Sequence, residues 1–128
     1  FNNVISSFPK KYQFGRKKVV LTVLLSGNKR IKELNKKFRK KNKPTDILSF
    51  PFRKKISKNI IYLGDIIISY DFINKPKSLN IFQFKNKLAK IFIHGFLHLV
   101  GFNHIKDSEF KKMNKEELKI YNLVKKKF

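Results

Sequence analysis

The stretch that most limits the folds open to this chain is HGFLHLVGFNH, from His94 to His104, which holds all three of its histidines. The apolar spacing predicts one helix from about Leu79 to Val100, on which His94 and His98 stand four residues apart and project from the same face. At about 100° per residue, Asn80, Gln83, Lys87, Lys90, His94 and His98 fall on one narrow stripe, and apolar residues such as Leu88, Phe92, Phe96 and Leu99 cover nearly all the rest. A helix apolar on most sides must be buried. The fold therefore has to wrap around it, leaving only the stripe to line a cleft or face solvent. Gly101 is the expected stop, because glycine enters the left-handed conformation without a steric penalty, and the chain beyond it can bring His104 back toward the first two rings. Three neutral imidazoles converging on one point hold a tetrahedral zinc with an open fourth position, the coordination of a catalytic rather than a structural site. The competing reading is a pair of half-buried core histidines with hydrogen-bonded ring nitrogens. A third histidine and a glycine in register favour the metal.

Histidines at the first, fifth and eleventh places with glycine at the eighth have the spacing of HExxHxxGxxH zinc proteases. The second place, which in those enzymes holds the glutamate that takes a proton from zinc-bound water, is Gly95 here. Glycine cannot act as a base, so peptide hydrolysis by that route has no proton acceptor.

With 128 residues the chain is long enough for one core and too short for two, so residues 1–128 are expected to form one domain. An apolar content of 41% with 14 phenylalanines argues against a disordered chain despite 30% charged residues. There is no cysteine, so metal chemistry must rest on histidine and oxygen ligands, and the absence fits a reducing compartment. Lys87 and Lys90 interrupt the most apolar stretch before it reaches the roughly 18 residues of a membrane span. No signal-peptide pattern is visible, and the opening Phe1 leads us to expect an N-terminus that is incomplete or processed. The net charge of +23 points to a polyanionic partner, whose condensed counterions basic side chains release. It fits compositional drift equally well, since lysine far outnumbers arginine, found only at Arg16, Arg30, Arg39 and Arg53. A membrane surface is the weaker option, as no segment pairs a basic face with a clean apolar one.

Along the chain, Phe1, Val4, Ile5 and Phe8 read as the end of a helix before a loop, and Lys18–Ser26 as a largely buried strand. Ile31, Leu34 and Phe38 mark a short amphipathic helix with Arg39 at its end. Ile47–Phe52 reads as a strand that Pro51 limits to an edge or a strand end, Lys54–Asn59 as a polar loop, and Ile60–Ser69 as the most β-rich run, with Gly64 marking a bulge or close approach. Asp107 is the expected N-cap of a last helix with Phe110, Met113, Leu118, Tyr121 and Val124 at helical spacing, before a frayed tail. Strands followed by helices predict an α+β domain, a small mixed sheet packed with helices, the central one carrying two of three histidine ligands.

Three stretches, RKKNKPTDILSF, LGDIIIS and HGFLHLVGFNH, in that order and spacing, resemble the signature segments of the bacterial rRNA maturation factors of the YbeY type. The likeness covers residues 18 to 125. It implies a zincin-like fold, one zinc ion held by His94, His98 and His104, and a single-strand-specific endoribonuclease. The implied role is rRNA processing at the small-subunit 3′ end and ribosome quality control in the bacterial cytoplasm, with an organelle as the other compartment. Arg39 matches the family arginine that holds RNA near the metal; from the residues alone it is a solvated charge at a helix end. The expected catalytic set is thus Arg39, His94, His98 and His104, with metal-activated water attacking a phosphodiester. Asp46 and Asp65 read as structural, and Lys87 and Lys90 either extend the positive field of the cleft or are plain solvated positions. Asn103 stands where the family usually has aspartate, which implies a weaker outer shell around the metal. Two other functions fit the sequence: a non-catalytic rRNA-binding assembly factor with a structural zinc, and a zinc hydrolase of another substrate, against which Gly95 and the net charge argue.

Overall fold

A computed structural model describes residues 8–12, 17–75, 79–103 and 105–127. Its centre is β3 (Ile60–Ser69), which pairs in parallel with β1 (Lys18–Ser26) and antiparallel with β2 (Ile47–Ser57), so the sheet order is β1-β3-β2. The run of β-branched residues suits a strand flanked on both sides, and Leu63, Ile66 and Ile68 are fully buried. Gly64 has φ +148°, and a Cβ there would overlap the carbonyl oxygen of Phe50 on β2, so this is a close approach of two backbones. The β1 register shifts opposite it, between Val20 and Thr22.

Strand β2 runs five residues past Phe52, through the stretch that the sequence leaves as a loop. Lys54, Lys55 and Ser57 pair with Tyr62, Ile61 and Ile60 across the turn at Lys58 and Asn59. Their side chains are exposed, and what makes the strand is the backbone ladder offered by β3, which a hydrophobic pattern cannot report. Pro51 lies on this edge strand, as its missing N–H requires.

Helix α1 (Asn28–Arg39) follows β1, and its first N–H is received by Asp71 Oδ2 at 2.8 Å from the short helix α2 (Tyr70–Ile73). The long helix α3 (Ile81–Leu99) opens with a capping box, in which Asn80 Oδ1 accepts from Gln83 N at 2.8 Å and Gln83 Oε1 accepts from Asn80 N at 3.0 Å. Two residues of the polar stripe are thus the helix cap rather than cleft lining. It ends as the sequence predicts. Gly101 takes φ +107°, Gly101 N donates to the His98 carbonyl at 3.1 Å, and Phe102 N donates to that of Leu97 at 2.9 Å, the paired bonds of a Schellman motif.

Phe92 and Phe96 of α3 are wholly buried, with the Phe8 ring edge-on to Phe96 at 4.9 Å. Phe8 and the turn Lys10–Tyr12 pack into this core; the predicted helix end at Phe1, Val4 and Ile5 lies outside the described residues. Helix α4 (Asp107–Val124) buries Met113, Ile120 and Val124 while Phe110 and Leu118 are exposed, so it docks along a narrower stripe than its apolar residues suggest. Asp107 is its first residue rather than its N-cap, which is Lys106, and the carboxylate faces the positive end of the helix dipole. Among the described residues no helix is long and apolar enough to cross a membrane.

Candidate functional site

His94 and His98 project from one face of α3 with ring centroids 4.7 Å apart and Nε2 atoms 3.2 Å apart. Each ring is held from behind by an acceptor. His94 Nδ1 lies 2.5 Å from Glu117 Oε1 on α4, and His98 Nδ1 lies 2.9 Å from the carbonyl oxygen of Phe102, just past the Gly101 turn. A carboxylate and a carbonyl both accept, so in a neutral ring Nδ1 carries the proton and Nε2 presents its lone pair toward the other ring. At that separation the two Nε2 atoms are bridged either by one shared proton or by a metal cation. Two nitrogens bound to one tetrahedral zinc at about 2.0–2.1 Å lie roughly 3.3 Å apart, so this pair fits a metal as it stands. Among the described residues no group of three His, Cys, Asp or Glu side chains is arranged to hold an ion. His104, the predicted third ligand, lies outside the described residues.

Gly95, between the two histidines, is where α3 presses on β2. A Cβ there would stand 2.6 Å from Ile47 Cδ1 and 3.1 Å from Ser49 Oγ, and Ser49 Oγ donates to the Gly95 carbonyl at 3.2 Å. The glutamate that zinc proteases carry at this place has no room here.

The two rings open into a cleft along the free edge of β2, whose other wall is the end of α1 with Phe38, Arg39, Lys41 and Lys43. Helix α1 closes on Lys40 in the left-handed conformation, at φ 58°, and Lys41 N donates to the Asn35 carbonyl at 3.3 Å. The buried Asn35 then donates its side-chain amide to the Lys43 carbonyl at 2.8 Å, folding the basic loop against the helix end. Arg39, Lys41 and Lys43 thereby face the cleft that holds the histidines. Lys87 and Lys90 do not. Lys87 Nζ donates to the carbonyls of Phe72 and Lys75, at 2.8 and 2.7 Å, and Lys90 Nζ sits 4.9 Å from the centre of the Tyr121 ring. Asp65 accepts from the Tyr62 hydroxyl, a bond that raises the Tyr62 pKa, and takes no part in the cleft. Asp46 lines the cleft, but its carboxylate accepts from Thr45 Oγ1 at 3.2 Å and its carbonyl from Ser69 N at 2.8 Å, a structural use.

The family model for endoribonuclease YbeY matches residues 1–125. The chain belongs to the YbeY family. This YbeY chain is 62% identical to the endoribonuclease YbeY of Pelagibacter ubique, over 99% of its own length and 84% of that protein. It is 40% identical to that of Thermodesulfovibrio yellowstonii, over 84% of this chain and 68% of that one. The solution structure of TM1509 from Thermotoga maritima superposes with a TM-score of 0.54 at 28% identity, covering 96% of this chain and 79% of that one.

Within this YbeY chain, sequence reasoning missed Glu117 and the Phe102 carbonyl. Glu117 left a trace: it shares one stripe of α4 with the buried Met113, Ile120 and Val124, and acids are rare in a chain with 8 of them. At Asn103, where the resemblance leads us to expect aspartate, the side chain is used locally. Asn103 Oδ1 accepts from Ile105 N at 3.4 Å, a local turn, while the outer partners of His94 and His98 are Glu117 and Phe102.

Proposed function

We propose that this chain is a metal-dependent endoribonuclease that cuts single-stranded RNA during maturation of the small-subunit ribosomal RNA, as one domain acting on pre-ribosomal particles in the bacterial cytoplasm. The observation that carries the reading is the pair of Nε2 atoms 3.2 Å apart, each ring locked by an acceptor at Nδ1, in a cleft walled by Arg39, Lys41 and Lys43. The proposed ligands are His94, His98 and His104, and the proposed ion is zinc. Bound there, zinc supplies a water whose pKa falls from about 16 to about 7, and a charge beside the reacting phosphate. The rest falls to the chain's own groups. Glu117 and the Phe102 carbonyl keep the Nδ1 protons in place, so that neither ring turns or changes tautomer. Arg39, permanently charged and forked, takes the scissile phosphate by two oxygens and opposes the charge that grows on it. Lys41 and Lys43 carry the neighbouring phosphates.

The test is cleavage of a single-stranded RNA from the small-subunit 3′ region by metal-loaded wild type, beside a His94→Ala/His98→Ala variant purified identically, with metal quantified in both. Cleavage that disappears together with the metal is the expected result. Equal cleavage in both samples, or none in either, overturns the reading.

A further inference from the structure

The apolar stripe of α1 does not stay in the core. Ile31 is wholly buried and Leu34 half-buried, but Phe38, one turn further on, is 56% exposed and emerges into the cleft beside Arg39. Its ring is held in place. Phe50 of β2 meets it at 5.3 Å between centroids and 69° between planes, and both rings line the cleft that contains His94 and His98. Ser49 points to α3, where its hydroxyl reaches Gly95, so alternation along β2 turns Phe50 to the opposite side, toward α1. The aromatic pair and the histidine pair therefore flank the same exposed strand edge from its two sides.

Exposed single phenylalanines are ordinary on protein surfaces. This one differs in being propped by a second ring and set next to the cleft's cations. Lys37 Nζ already lies 5.3 Å from its centre, which shows that the π-face is open to a cation-sized group. We propose that Phe38, braced by Phe50, is a stacking platform for one unpaired nucleobase of the RNA strand whose phosphate Arg39 holds. The inference rests on the RNA reading above and adds the contact that selects single strands. A base inside a duplex has both faces covered by its neighbours and cannot lie on Phe38, whereas an unpaired base can. When a base stacks there, Lys37 moves from the ring to an adjacent phosphate.

The test compares wild type, Phe38→Ala and Phe38→Trp, each metal-loaded, for binding to a short single-stranded oligoadenylate and to a base-free ribose-phosphate oligomer of equal length. Wild type should bind the oligoadenylate more tightly than the base-free strand. Phe38→Ala should lose about ten-fold on the oligoadenylate alone. Phe38→Trp should restore it, and all three should bind the base-free strand alike. An equal loss on both strands, or no loss on either, overturns the platform while leaving the RNA reading intact. Failure of the wild type to bind either strand overturns the RNA reading itself.

Discussion

Glu117 and Phe102 play the same part for two different rings, each accepting the Nδ1 proton so that Nε2 stays basic. They do it by different means. Phe102 offers a backbone carbonyl fixed by the Gly101 turn, which no side-chain substitution removes, while Glu117 reaches across from α4 and can be tested alone. Glu117→Ala is expected to lower zinc affinity about ten- to a hundred-fold, measured by competition with a chromophoric chelator. Glu117→Gln, whose amide oxygen still accepts, should lose less. Equal affinity in all three proteins would show that α4 does not orient His94. The histidines were legible from spacing, because helical periodicity alone puts them on one face. Their supports were not: Glu117 acquires its role from the way α4 crosses α3, and Phe102 acts through a main-chain atom that every residue type possesses. Phe38 misleads in the opposite way, since its spacing marks it for the core and only the position of β2 shows that the helix has run past it.

The site depends on how closely α3 lies on the edge of the sheet, and two glycines set that distance. Gly64 lets the backbones of β2 and β3 approach with a φ that L side chains rarely adopt, while Gly95 lets α3 settle on Ile47 and Ser49. The two should respond differently to an added methyl. At Gly64 it meets a backbone oxygen and a disfavoured φ, so Gly64→Ala should cost about 3 kcal/mol or more. At Gly95 it meets the end of an isoleucine that can turn aside, so Gly95→Ala should cost about 1 kcal/mol. Urea denaturation of the metal-free protein measures both, and the reverse order would remove the close strand approach from this account. Gly64 was legible as a bulge or contact because glycine interrupts an otherwise β-branched run. The far half of β2 was not, since Lys54–Ser57 carry no apolar alternation and become a strand only because β3 stands beside them.

Across the whole molecule, 31 basic side chains face 8 acidic ones, and several of the acids tie elements of the fold together: Asp71 at the start of α1, Asp65 with Tyr62, Glu117 with His94, Glu116 with Tyr12 and Lys11. Glu116 ties the turn at Lys10–Tyr12 to α4. Burial alone would raise its pKa, but the Tyr12 hydroxyl at 2.6 Å, Lys11 at 3.0 Å and the charge of Lys119 together hold it below 4.5. A depressed carboxylate contributes stability that is present above its unfolded pKa and lost as pH falls through the folded one. Glu116→Gln should thus cost about 1–2 kcal/mol at neutral pH, with the gap to wild type closing as the pH falls below 4.5 and through the lowered pKa of the folded state; a gap independent of pH would mean that the charge is irrelevant. The total charge was legible in the sequence, but not its placement, which the loop after α1 decides by turning Arg39, Lys41 and Lys43 into the cleft. Placement and total predict opposite responses to salt. Screening relieves the repulsion among 23 uncompensated charges, so the melting temperature should rise as salt is added. RNA binding should fall, with a log–log slope of about −2 if those three cations each neutralise one phosphate of a single strand. Arg39→Glu should flatten that slope by about one unit, removing one contact and opposing a second. If binding instead survives unchanged from low to high salt in the wild type, the strand is not held through its phosphates, and the +23 charge is composition rather than function.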